Sequence, residues 1–292
     1  MGKGARLGRV RRIDIPVVEA SGAASRIAAD GSRHVLVIGD RTAEVTTGVV
    51  DDETGDITWR VVDLADVDAW PEMQGDSQFE SIAADGAATV AVMREDPPVV
   101  LVADVDERRL LCRITLGDEP ALVGMWDEAN SRGEGLAFLR GGRLLVAKEK
   151  HPPALVEFAP DGVEARGIGP DDFLGPSERW ESPSGEVTFR AVAVWPLVGE
   201  AERSMRDISA VGGTDHGDIW LLSDRSRSIA RLRLDPPLSP EGGPIDELDQ
   251  VVRLPKHSHK PEGLARLRPG ELLVCLDTDS TEQNGLVVRT PD

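Results

Sequence analysis

Residues 134–149 read EGLAFLRGGRLLVAKE, from Glu134 to Glu149, and the chain is built on repeats of that stretch. With the opening residue as position zero, five copies start at Ser25, Glu80, Glu134, Ser209 and Glu262. Position two is a branched aliphatic in each, as Ile27, Ile82, Leu136, Val211 and Leu264. Position three is small, as Ala28, Ala83, Ala137, Gly212 and Ala265. Positions ten to thirteen are apolar throughout, over 35–38, 90–93, 144–147, 219–222 and 272–275. Four-residue apolar runs bounded by turn residues mark buried strands. Position fifteen is acidic every time: Asp40, Glu95, Glu149, Asp224 and Asp277. With 52 Asp and Glu in 292 residues, chance does not readily place an acid there in all five copies.

Between the two strands of each copy lies a hairpin of turn-forming residues: Asp30-Gly31, Asp85-Gly86, Gly141-Gly142, Gly212-Gly213 and Pro269-Gly270. The copies start 55, 54, 75 and 53 residues apart. A strand-hairpin-strand unit at that period predicts an all-β fold, a five-bladed β-propeller. The blades fall at about 19–66, 75–117, 130–168, 206–255 and 258–292, with 9–18 added to the last. That addition is expected because the last copy stops one strand short of four, while residues 11–18 alternate like a strand. An N-terminal strand in the last blade would remove an exposed edge. In the third blade, outer strands are expected over 154–158 and 163–167. An insertion at 169–206 follows, which either completes that blade from outside or folds over one face as a lid.

The composition narrows the functional classes. A net charge of −19 repels phosphate backbones and anionic membranes, so neither nucleic acid nor a membrane surface is an expected partner. No stretch approaches the roughly 20 apolar residues of a membrane span. Residues 1–14 are basic with no apolar run behind them, so the expected location is cytoplasmic. Cys112 and Cys275 lie in predicted strands of different copies, which suits buried reduced thiols. There is no Gly-x-Ser-x-Gly elbow, Walker loop or Cys-x-x-Cys pair. His257 and His259, two apart in a loop, are not diagnostic of a transition metal.

In a propeller the first strand of each blade lines the tunnel, and positions zero and fifteen meet at one mouth. Ser25, Glu80, Glu134, Ser209 and Glu262 are therefore expected in one ring, three carboxylates and two hydroxyls around the axis. Carboxylates so close need protons or a cation. Oxygen ligands select a hard ion, calcium before magnesium or manganese. The plain alternative is a wet polar tunnel without metal.

The stretches FESIAADG, GEGLAFLRGGRLLVAKEK, DISAVGGTDHGDIWLLSDRSR and PEGLARLRPGELLV resemble the SdiA-regulated, phytase-like group of bacterial β-propellers, across all five repeats. The resemblance implies a five-bladed propeller with bound calcium and no settled activity. Members of that group usually carry an export signal or anchor. A weaker similarity is to the calcium-activated nucleotidases, or apyrases, whose central calcium is held by Ser and Glu. The Gly39-Asp40-Arg41-Thr42 turn is similar to their Asp-Asp-Arg-Thr turn, which carries over Asp40 and Arg41 alone.

Arg41, Arg94, Lys148, Lys150 and Arg225 each stand beside a position-fifteen acid. With a cation they could hold a small anionic molecule while Glu95 or Glu149 takes a proton from water. The candidate catalytic set is thus Glu149, Glu95, Lys148, Arg94, Asp40 and Arg41, for a calcium-dependent hydrolase of a phosphate ester, nucleotide, ester or lactone. The alternative is a non-catalytic propeller that binds a ligand or protein and uses its ion structurally. Rim ion pairs would then account for the same basic neighbours.

Overall fold

The apolar runs each become the second strand of an antiparallel meander, and the computed structural model describes residues 10–63, 77–117, 131–213, 218–256 and 259–290 around them. After β1 (Val10–Ile13), the first meander is β2 (Ala20–Ile27), β3 (Arg33–Gly39), β4 (Glu44–Val50) and β5 (Ile57–Asp63). The second is β6 (Phe79–Ala84), β7 (Thr89–Arg94), β8 (Val99–Asp104) and β9 (Arg109–Gly117). The third is β10 (Gly135–Leu139), β11 (Arg143–Lys148), β12 (Ala154–Pro160) and β13 (Gly185–Pro196). A one-turn helix α1 (Gly199–Ser204) leads to β14 (Ala210–Gly212), β15 (Asp218–Ser223), β16 (Ser228–Arg233) and β17 (Gln250–Arg253). The last meander is β18 (Lys260–Arg268), β19 (Glu271–Asp277) and β20 (Gly285–Arg289).

The fold is all-β and propeller-like. Three sheets have four strands each, in the orders β2-β3-β4-β5, β14-β15-β16-β17 and β1-β20-β19-β18. The second and third meanders join into one eight-stranded sheet, β10-β11-β12-β13-β9-β8-β7-β6. The N-terminal strand pairs antiparallel with the C-terminal one, from Val10↔Val288 to Ile13↔Gly285. It stops there rather than running on to residue 18. Pro16 has no N–H to give, and the backbone of 15–17 is taken up by Asn284, which accepts from Ile15 N (2.7 Å) and donates to Ile15 O (2.9 Å) and Val17 O (2.7 Å).

The core lies between sheets. Leu36, Ile82, Val90 and Leu101 pack between the first and second meanders, and Val100, Cys112, Val146 and Phe158 between the second and third. Leu145, Leu155, Ile219 and Leu221 fill the space between third and fourth. Trp220, Leu222, Leu264 and Val274 join fourth and last, and Val35, Val37, Leu273 and Val287 join last and first. The small positions of the repeat follow from how closely the first strands approach. At position three a Cβ on Gly212 would lie 2.3 Å from Leu264 O, and at position one a Cβ on Gly135 would lie 2.8 Å from Val211 N. Burial holds the thiols of Cys112 and Cys275 protonated, pushing them to about 11 and about 12.

Residues 163–167 do not form the expected strand. Gly162 (φ +85°) and Gly167 (φ +73°) turn the chain, and the buried Glu157 carboxylate accepts from Arg166 N (3.2 Å) and Gly167 N (3.1 Å). That backbone bonds to a side chain instead of a ladder. The fourth strand comes from the insertion, as β13, while residues 168–184 cross the hairpin end. There Ser177 N donates to Ile27 O (3.3 Å), Gly86 N to Glu178 O (3.0 Å) and Trp180 N to Asp85 Oδ2 (3.0 Å). The Trp180 ring stacks on Phe138 at 4.6 Å. The crossing segment thus lies at the opposite end from the position-fifteen acids.

His216, His257 and residues 67–76 of the expected first linker lie outside the described residues. Among the described residues no helix is long and apolar enough to cross a membrane.

Candidate metal centre

The position-zero residues owe their placement to a break in pairing. Register shifts between Ala20/Gly22, Phe79/Ser81 and Pro261/Gly263 leave Ser21, Glu80 and Glu262 as bulge residues. Bulges re-aim side chains out of the ladder. In the third and fourth meanders, Glu134 and Ser209 directly precede the first paired residue, and their N–H groups donate to Ala147 O (3.0 Å) and Leu222 O (2.8 Å).

This register corrects the first copy of the repeat. Gly22↔Ile38 corresponds to Ser81↔Met93, Gly135↔Ala147, Ala210↔Leu222 and Gly263↔Cys275. The residue equivalent to Glu134 is therefore Ser21, not Ser25. Ser25 pairs with Val35 and lines a cavity of about 70 Å³ at the hairpin end, together with Arg26 and Leu174. The first hairpin is four residues longer than the others, so a fixed fifteen-residue spacing counted back from Asp40 lands in the wrong place. The usable signal was Ser21-Gly22, which matches Glu134-Gly135 and Glu262-Gly263.

Ser21 and Ser209 play one role. Ser21 Oγ donates to Phe79 O (2.5 Å) and Ser209 Oγ to Pro261 O (2.9 Å). Each hydroxyl thereby holds the backbone just before the position-zero glutamate of the next meander.

The tightest acidic group draws on both columns. Oxygens of Glu95, Glu134 and Glu149 lie within 4.8 Å of one another, and all three residues are partly buried. Glu95 and Glu149 close the second strands of neighbouring meanders, and Glu134 opens a first strand between them. Glu80 and Glu262 do not join this trio. Glu95 accepts from Arg132 N (2.9 Å), and Glu149 pairs with Lys150.

Withdrawal from solvent raises the carboxyls, and their mutual repulsion adds to it. Glu134 is driven well above the usual carboxylate range by burial first, then by Glu80, Glu149, Glu95 and Glu262. Burial, Glu262 and Glu95 push Glu80 up to about 8. Burial pushes Glu262 to about 7 against the opposing Lys260, and Glu95 to about 6 against the Arg132 N–H. Asp40 is raised too, chiefly by burial.

The expected cations are mostly engaged elsewhere. Lys148 is buried, with Nζ donating to Ser131 Oγ (3.2 Å), Pro152 O (3.4 Å) and Lys150 O, so it ties down its own loop. Arg94 donates to Gln78 Oε1 (2.7 Å). Arg41 pairs with Glu19 and lies 3.9 Å from Asp279. Beside the trio, a cavity of about 310 Å³ is lined by Asp40, Gln78, Glu80, Glu95 and Asp96.

A carboxyl whose pKa is higher in the folded protein than in the unfolded chain favours the fold below the unfolded value. That contribution is lost as pH rises through the folded value. The melting temperature of cation-free protein is therefore expected to fall from about pH 5 to about pH 9, as Glu95, Glu262 and Glu80 ionise in turn. A melting temperature that rises or stays level over that range would show that these carboxyls do not strain the metal-free fold.

The model of the family described as SdiA-regulated matches residues 67–275. No curated protein matches the chain. Among solved structures, a protein of unknown function from Bacteroides caccae is 16% identical, with 83% of this chain and 64% of that one covered and a TM-score of 0.38. The Kuenenia stuttgartiensis hydrazine synthase is 13% identical over 95% of this chain and 97% of that one, with a TM-score of 0.45. A luciferin-regenerating enzyme is 12% identical over 97% and 95%, also with a TM-score of 0.45.

Proposed function

The chain belongs to the SdiA-regulated family, and on that footing we propose that it is a calcium-binding five-bladed β-propeller closed by its N-terminal strand. Support for five blades comes from the cyclic order in which the apolar clusters link successive meanders, and from β1 completing the last sheet. One observation carries the cation reading: Glu95, Glu134 and Glu149 converge within 4.8 Å. Three half-buried carboxylates at that separation repel unless protonated or bridged, and an all-oxygen donor set fits a hard ion. Magnesium and manganese are the competing ions.

The ion's role is to hold the second and third blades together at the mouth, and the adjoining cavity is where a ligand would meet it. A non-catalytic, ligand-binding role is favoured by the engagement of Lys148, Arg94 and Arg41 with their own neighbours. The hydrolase reading rests on the cavity bordered by Asp40, Glu80 and Glu95, where a carboxylate that does not hold the ion, Asp40 or Glu80, would take a proton from water. The acidic lining admits a small anionic molecule only with the cation in place. Two unpaired buried thiols support a reducing, cytoplasmic location.

The test is thermal unfolding of metal-stripped protein with calcium, magnesium or manganese added. At a hundredfold excess over Kd a real site adds about 2.7 kcal/mol. A calcium-specific rise in melting temperature supports the reading, and screening of phosphate esters, nucleotides and lactones then follows. No rise with any of the three ions overturns it.

A further inference from the structure

The second and third meanders differ from other neighbours in how they are joined. Residues 185–190 of β13 pair in parallel with β9, from Gly185↔Cys112 to Arg190↔Gly117. From Phe189 onward it pairs antiparallel with β12, from Pro160↔Phe189 to Ala154↔Pro196. One strand thus passes from the rim of one sheet to the rim of the next. Among the described residues, no other two neighbouring sheets share such a ladder; the third and fourth are linked by the isolated bridges Ile168↔Leu238 and Leu197↔Ile245. Beneath the crossing, Phe189 is fully buried in the cluster shared by the two meanders, beside Cys112 and Trp180.

The Glu95, Glu134 and Glu149 trio straddles the inner end of this same junction, with Glu95 on the second meander and the other two on the third. We infer that β13 is a rim clamp that presets the spacing of the three carboxylates, so that breaking the β13–β9 ladder weakens cation capture at the far edge of the sheet. This rests on the cation reading above. The reasoning is that of a wedge. Carboxylate repulsion pushes the inner edges apart, against the side-chain packing of the cluster between the two meanders. A backbone ladder two strands out from β7 and β11, about 10 Å away at roughly 4.8 Å per strand, adds a fixed hinge to that packing. Glu134 and Glu149 then stay within reach of Glu95 before any ion arrives, and binding does not have to supply that ordering.

Adjacent residues of a strand point their N–H groups to opposite edges, which provides a built-in control. Over 185–188 the other edge of β13 has no partner strand. Of the variants Val187→Pro and Thr188→Pro, one removes a ladder donor and the other removes an N–H facing the open edge. Calcium affinity by calorimetry is expected to fall about tenfold in the ladder-breaking variant and to stay within about twofold of wild type in the other. In a second arm without metal, amide exchange at Arg132, Glu134 and Glu149 is expected to quicken in the first variant alone. Equal affinities in both variants, with exchange showing the rim ladder opened, overturn the inference. If wild type binds none of the three ions, the cation reading fails, and the exchange arm alone decides whether the clamp reaches the mouth.

Discussion

Replacing Glu134 with Gln is expected to abolish the stabilisation by calcium while making the metal-free protein more stable. Glu134 is the member of the trio most strongly driven toward its neutral form, by burial and by four other carboxylates. Gln keeps the shape and removes a carboxyl that the metal-free fold has either to protonate or to hold charged among like charges. In wild type, an ion at a hundredfold excess over Kd contributes about 2.7 kcal/mol. At roughly 2–4 °C per kcal/mol for a chain of this size, that is about 5–10 °C. Glu134→Gln should melt above wild type in chelator at about pH 8 and below it in calcium, so the two curves cross. Glu80→Gln and Glu262→Gln should also gain metal-free stability but keep most of the calcium shift, because neither belongs to the trio. Ser25→Ala should change neither. Scanning calorimetry checks all four. A calcium shift retained in Glu134→Gln, or lost in Glu80→Gln alone, would move the ion away from Glu95 and Glu149.

The second large effect lies away from the mouth. Arg143 and Glu157 face each other from β11 and β12, form an ion pair and have no side-chain exposure. Arg143 also donates to Asp172 Oδ1 (2.5 Å), Gly167 O (3.2 Å) and Arg140 O (3.0 Å). Removing one partner of such a pair strands a buried charge, at a cost of about 3–5 kcal/mol. Arg143→Met should fall at the upper end. It leaves the Glu157 carboxylate with two backbone N–H groups and no cation, and it also frees Asp172. Glu157→Leu should fall at the lower end, since Asp172 still neutralises the guanidinium. The double variant should recover most of the loss, because a matched apolar pair in a buried site is often neutral. Urea unfolding measures the cycle. Because Arg143 anchors Gly167 and Asp172, limited proteolysis of Arg143→Met should cut first within 161–184. A loss below about 1 kcal/mol would show that the pair is solvated in solution.

The strands that the sequence revealed were those whose signal is local. The runs around Val146 and Val274 are apolar on both faces and end at glycine hairpins, so burial and turns could be read without knowing the neighbours. The small residue at position three was equally legible, although its cause, the near contact of first strands, was not. What escaped the reading depends on length changes and on partners far along the chain. Four extra residues in the first hairpin displaced Ser21 to Ser25. The strand at 163–167 was lost to the Glu157 carboxylate, whose hold on Arg166 and Gly167 leaves no trace in a hydrophobic pattern. The trio combines one position-zero acid, Glu134, with the position-fifteen acids of its own meander and of the one before, which a column-by-column reading does not capture. Lys148 looked available because it stands beside Glu149. It closes β11 with its ammonium turned under the Ser131 loop instead.

The pairing of residues 10–13 with 285–288 bears on how the polypeptide matures. Strand β1 leaves the ribosome long before its partner β20. Until translation has passed Val288, β1 lacks the strand it pairs with, and its edge stays open. The first four meanders can form as they emerge, each against its predecessor. The final sheet cannot do so, because β1 waits for β18 to β20 to follow it out of the ribosome. In the interval the cell has to shield the open edge of β1.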